Sequence, residues 1–202
     1  MITISLDGNT LTPSEVMHIA NGNAKVVVSS DAMARVHSAR SVVERILSND
    51  ETVYGINTGF GALVHQRISS NDLTQLQVNL IRSHATAIGE LMTKESVRAM
   101  MAVRINSLAK GHSGVHPDVL EQIVHFLNYD ITPAIPRIGS LGASGDLAPL
   151  SHMALALIGE GDVLASDGTT ESSITQLKEH GLIPLELRAK DGLSLINGTS
   201  QM

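Results

Sequence analysis

Apolar and polar residues alternate in periods that change several times along the chain. ITISL at residues 2–6 alternates and predicts a short strand, and KVVVS at 25–29 predicts another. Between them, Thr12-Pro13-Ser14-Glu15 has the order of a helix start, with Thr12 as cap, Pro13 in the first position and Glu15 in the acid-favoured first turn. Asp31 is the expected cap of a helix running to about Leu47, with Met33, Val36, Val43 and Ile46 at roughly helical spacing. Asn71 or Asp72 opens the next helix, whose Leu73, Leu76, Leu80 and Ile81 share a face. Residues 94–110 carry Val97, Met100, Met101, Ile105 and Leu108 and stop at Gly111. His116-Pro117-Asp118 begins a helix with Leu120, Ile123, Val124 and Leu127, and Pro133 and Pro136 punctuate a non-helical stretch after it. Leu150–Ile158 is apolar on nearly every side, which predicts a buried helix. Residues 162–192 read as a hairpin or loop excursion with a short helix near Ser172–His180, and Asn197-Gly198-Thr199-Ser200 as the start of a further helix. No internal repeat or low-complexity linker interrupts this pattern, so the expected unit is single and mainly α, residues 1–202.

Composition narrows the class. Of 202 residues, 43% are hydrophobic and 17% charged, which is globular and not disordered. Aromatics are only Tyr54, Tyr129, Phe60 and Phe126, so the core must be aliphatic and rich in Met. A net charge of −6 without a Lys/Arg run argues against nucleic acid as partner. No apolar run approaches the roughly 20 residues of a membrane span, and MITISLDGNTLTPSEV lacks the basic start and apolar block of a secretory signal. The absence of Cys excludes disulfides and thiolate metal sites and fits a cytoplasmic setting. The nine His include no H-E-x-x-H or comparable pattern, so no metal is implied.

Two glycine-rich stretches break the periodicity. YGINTGFG at 54–61 is a loop by its turn-formers. GSLGASGDLAP at 139–149 feeds directly into the apolar helix. A glycine loop before a helix can cradle phosphate, but neither G-x-G-x-x-G in a strand–helix unit nor G-x-x-x-x-G-K-[ST] is present.

GASGDLAPL at 142–150 resembles the signature of the ammonia-lyases and aminomutases that act on aromatic amino acids and histidine. The resemblance extends, in matching order, to YGINTGFG, to Ser83-His84 and to Leu195-Ile196-Asn197-Gly198-Thr199. It implies that Ala143-Ser144-Gly145 cyclises to 4-methylidene-imidazol-5-one (MIO), the glycine amide nitrogen attacking the alanine carbonyl while two waters leave. A peptide nitrogen is a poor nucleophile, so the loop must force the approach; Gly145 has no side chain to obstruct it, Gly142 lets the turn bend, Ser144 supplies the leaving hydroxyl, and Asp146 assists proton removal.

The other motifs receive roles from the same resemblance. Tyr54 lies on a mobile active-site loop that also includes Gly61, and acts as base or proton relay; without the resemblance it is a side chain packed on its neighbours. At Ser83-His84, phenylalanine-specific members tend to carry Phe-Leu, tyrosine-specific ones His-Leu and histidine-specific ones Ser-His, so the pair implies histidine as substrate, one imidazole hydrogen-bonding another. Asn197 stands beside MIO and contacts substrate, though a helix cap by Asn197 or Thr199 also explains it. The implied fold is the mainly α, MIO-bearing N-terminal domain of the fumarase/aspartase-like ammonia-lyase fold, truncated before its long central helical bundle. The implied reaction is L-histidine to trans-urocanate plus ammonia, in a homo-oligomer that is a tetramer in the family. Two alternatives stand beside it: a phenylalanine or tyrosine lyase or aminomutase, and a non-catalytic fragment that needs a C-terminal partner chain.

Overall fold

The computed structural model describes every residue except 50, 60–67, 70–71 and 142–144. β1 (Ile2–Leu6) and β2 (Ala24–Val28) form a parallel pair in the register Ile2↔Ala24 to Leu6↔Val28, and α1 (Pro13–Ala20) makes the crossover that a parallel pair requires. Thr12 caps α1 in a reciprocal box: its hydroxyl accepts the Glu15 N–H at 3.3 Å and Glu15 Oε2 accepts the Thr12 N–H at 2.8 Å.

α2 (Ser30–Ser48) begins two residues earlier than expected, because Ser29 and not Asp31 is the cap; its Oγ accepts the Ala32 N–H at 3.2 Å. Asp31 falls in the first turn, where the helix dipole favours its charge. α3 (Leu73–His84) buries Leu73, Gln77, Leu80 and Ile81. β3 (Ile88–Leu91), α4 (Lys94–Leu108), α5 (Pro117–Asn128) and β4 (Pro136–Ile138) follow, β3 pairing antiparallel with β4. The sequence pattern predicts neither of these strands: all four residues of β3 are exposed, so no alternation marks it. α6 (Leu147–Leu157) is buried on most sides, as an apolar helix must be. β5 (Asp162–Leu164) and β6 (Thr170–Ser172) make the expected hairpin, followed by α7 (Ser173–Glu179) and α8 (Asp191–Ile196).

One apolar cluster runs through these elements, from Leu6 and Val26 through Met100, Met101, Ile105, Ile123 and Phe126 to Met153, Leu157 and Leu195. Aliphatic and Met side chains fill it as the composition demands, Phe126 being the one aromatic among the described residues. α8 packs against both α3 and α6. A buried ionic junction fixes its start. The Asp191 carboxylate accepts the backbone N–H groups of His116 and Arg188, each at 2.8 Å, and Arg40 Nη1 approaches it at 3.3 Å. Burial pushes the Asp191 carboxyl up to about 6, overriding the bonds and cations that favour its charge.

Candidate functional site

The C-terminal end of α8 meets the end of the second glycine loop. Gly145 has φ +95°, and a Cβ on it would collide with the Gly198 carbonyl oxygen, so this position accepts only glycine. The same oxygen accepts the backbone N–H of Asp146 at 2.6 Å. Asp146 is fully buried; its carboxylate accepts the Ser140 hydroxyl at 2.6 Å and the backbone N–H groups of Gln201 at 2.7 Å and Met202 at 3.2 Å. Asp146 therefore ties Ser140, near the start of the glycine-rich stretch, to residues 201–202 beyond α8.

Asn197 is the C-cap of α8, with φ −88° and ψ 98°, and its N–H bonds to the Leu193 carbonyl at 3.0 Å. The expectation that Asn197–Ser200 starts a helix is thus corrected: a helix ends here, because the preceding Asp191–Ile196 is itself α8. Asn197 is exposed beside Gly198, one residue from the oxygen that faces Gly145.

The first loop rests on the same helix. Gly55 has φ +76°, and a Cβ there would lie 2.9 Å from Leu193 Cδ2. Asn57 braces the turn, its Nδ2 donating to the Glu51 carbonyl at 2.7 Å and its Oδ1 accepting the Val53 N–H at 2.9 Å. Tyr54 is 58% exposed at the top of this turn. α8 thus receives the Tyr54 loop at Leu193 and presents Asn197 and Gly198 one turn later.

Ser83 and His84 close α3. The Ser83 hydroxyl donates to the Leu80 carbonyl at 2.9 Å, and His84 Nδ1 lies 2.8 Å from the same oxygen. Ser83 Oγ also lies 3.0 Å from Nδ1; in the tautomer whose Nδ1–H donates to the carbonyl, the neutral ring keeps Nε2 as an acceptor. The chain after His84 touches the glycine-rich segment, since a Cβ on Gly139 would lie 2.7 Å from Ala87 Cβ and 3.1 Å from Ala148 Cβ. Of the other sequence candidates, Gly61, Gly142, Ala143 and Ser144 lie outside the described residues. Gly145 and Asp146 join a glycine at positive φ, backed by the Gly198 carbonyl, to a buried carboxylate at the next residue.

Sequence reasoning missed Arg104. Its side chain is 3% exposed; Nη2 donates to the Asn197 carbonyl at 3.0 Å and to that of Ser194. Burial lowers its pKa to about 10, and the charge of Asp146 works against that shift. A signal was present: Arg104 is seven residues from Val97 and three from Met101, on the apolar stripe of α4. Gln77 is equally buried, and its Oε1 accepts the Gly192 N–H at 2.9 Å, locking α3 to α8.

Comparison with known proteins gives a consistent result. The family model for aromatic amino acid lyase matches residues 11–202. A histidine ammonia-lyase of Staphylococcus aureus is 52% identical over 201 residues, which is 100% of this chain and 40% of that protein. An MIO-dependent tyrosine 2,3-aminomutase of Streptomyces globisporus is 47% identical over 202 residues, 100% of this chain and 37% of that protein. The crystal structure of tyrosine aminomutase from the same organism superposes with a TM-score of 0.93 at 46% identity, covering 99% of this chain and 37% of that one. The chain therefore spans about two-fifths of the length of these relatives.

Proposed function

The chain belongs to the aromatic amino acid lyase family, and from that premise we propose that it forms the MIO-bearing part, residues 1–202, of a histidine ammonia-lyase that converts L-histidine to trans-urocanate and ammonia. The observation that carries the choice of substrate is Ser83-His84 at the end of α3. The Leu80 carbonyl holds the His84 ring with Nε2 as acceptor, suited to the N–H of a substrate imidazole. The higher identity to histidine ammonia-lyase, 52% against 47% for the tyrosine aminomutase, points the same way but is a narrow margin.

In this reading Ala143, Ser144 and Gly145 form MIO, with Gly142 easing the turn and Asp146 accepting a proton. Once formed, that group supplies the electrophile that activates the amine or the ring of the substrate. Tyr54 removes the β-proton, Asn197 holds the substrate beside the loop, and the Tyr54 loop with Gly61 excludes water when it closes on α8. The remaining length of the family's enzymes supplies further substrate contacts. That requires either a longer polypeptide or a partner chain, in a homo-oligomer. The exposed pair Ile88–Ile138 on β3 and β4, with Leu141 at 92% exposure, supports a covered surface in such an assembly.

The test is turnover of L-histidine, L-tyrosine and L-phenylalanine by the chain, alone and with a polypeptide matching the rest of the relatives' length. Urocanate from histidine is expected for the combination. Turnover of tyrosine or phenylalanine with histidine untouched overturns the assignment in favour of the second reading, an aromatic lyase or aminomutase, which the tyrosine 2,3-aminomutase relative makes concrete.

A further inference from the structure

A single buried cation supports the surface against which Gly145 is held. Arg104 projects from the apolar stripe of α4 and is 3% exposed. Its guanidinium holds the carbonyls of Ser194 and Asn197, and a Cβ on Gly198 would run into Nη1. The Gly198 oxygen in turn accepts the Asp146 N–H and fills the space behind Gly145. The contacts run without a break from Arg104 through the 194–198 turn to the loop end.

Arg98 provides an internal comparison. It lies on the same helix and is 2% exposed, but its donors go to the Ile19 carbonyl, the Leu127 carbonyl and Asp130, each at 3.1 Å. It ties α4 to the end of α1 and to α5, away from both glycine loops. Of these two guanidiniums, both lowered in pKa by burial, only Arg104 touches the turn behind Gly145.

We propose that Arg104 is a positioning residue for ring closure: by fixing the 194–198 turn it keeps the Gly198 oxygen behind Gly145 and so holds the Gly145 nitrogen in the conformation that attack requires. This rests on the MIO reading above. The Gly145 nitrogen bonds the Ala143 carbonyl carbon. One water leaves with that carbonyl oxygen and the amide hydrogens of Gly145 and Ser144. The second leaves with the Ser144 hydroxyl and the Ser144 α-hydrogen. No oxidant or co-reactant is needed. Arg104 acts through geometry: its Nη2 holds the Ser194 and Asn197 carbonyls.

Intact mass of the purified, folded chain tests this, with thermal unfolding measured in parallel. The wild type is expected two waters below its sequence mass. Arg104→Met is expected to cyclise less than a tenth as much, and Arg104→Lys to an intermediate extent, since Lys keeps the charge but not the two-carbonyl fork. Arg98→Met is expected to lose stability but to cyclise like the wild type in whatever fraction folds. If Arg104→Met does not fold, Arg104→Lys and Gly198→Ala decide, the latter displacing the guanidinium without removing it. Arg104 variants that cyclise like the wild type overturn the proposal. A wild-type chain at its unmodified mass overturns the MIO reading itself, and this inference with it.

Discussion

The carbonyl oxygen of Gly198 accepts the N–H of Asp146 and, at the same time, occupies the place a side chain on Gly145 would need. One oxygen therefore fixes the residue type at 145 and the path of the chain at 146. A methyl group at Gly145 meets two penalties, a left-handed backbone costing about 1–2 kcal/mol and an overlap with backbone costing about 1–3 kcal/mol. Gly145→Ala is expected to lower the unfolding free energy by about 2–5 kcal/mol in urea and to remove any mass loss of two waters. An Ala variant as stable as the wild type would show that the Gly198 contact yields freely.

The junction at Asp191 makes a separate prediction about stability. Its two oxygens accept two backbone N–H groups and face Arg40. Asn at this position offers one acceptor and one donor, so one backbone N–H faces an amide group that cannot accept it. Asp191→Asn is expected to cost about 2 kcal/mol in chemical denaturation, the cost of one buried unsatisfied donor. Because α8 starts here, hydrogen exchange of the α8 amides is expected to rise in the same variant.

The helices were legible in the sequence wherever caps and apolar stripes agreed, as at Thr12-Pro13 for α1, His116-Pro117 for α5 and the continuous apolar run of α6. β3 was not, because a strand exposed throughout has no period to read. α8 was not legible, since its six residues follow a long irregular stretch, and Asp191, its anchor, is partnered by residues 75 and 151 positions away. The glycine-rich stretches stood out as breaks in the helical pattern, and Ser83-His84 stood out only through the family resemblance. Arg104 was not singled out: a basic residue on a helix is usually solvated, and only the three-dimensional path of residues 194–198 reveals what it holds.

Acid sensitivity follows from two half-buried imidazoles. Burial lowers the pKa of His152 on α6 and, with the nearby Arg188, that of His116. For a base whose folded value lies below its unfolded value, the unfolded chain binds more protons in the interval between the two. Stability is therefore complete above the ordinary histidine value of 6.5 and is lost as pH falls through it. His152→Leu is expected to flatten the decline in melting temperature between about pH 6.5 and 5 relative to the wild type. An equally steep decline in the variant would assign the acid sensitivity to His116 or to other groups.

The sharpest prediction for substrate choice concerns His84. Its Nδ1 is committed to the Leu80 carbonyl, so the neutral ring meets a ligand through Nε2, as an acceptor. Phe keeps the size and planarity of the side chain and removes both nitrogens. In an assembly that turns over histidine, His84→Phe is expected to lower kcat/KM for histidine by about 10–100-fold, the worth of one hydrogen bond in a desolvated site. Phenylalanine, which has no ring N–H to satisfy, is expected to gain relative to histidine. His84→Gln restores an acceptor on a flexible stem and is expected to recover part of the histidine rate. Comparing kcat/KM for the two substrates across wild type, His84→Phe and His84→Gln separates recognition from folding, because a folding defect lowers both substrates together. An unchanged histidine-to-phenylalanine ratio in His84→Phe would remove Ser83-His84 as the determinant of the substrate ring.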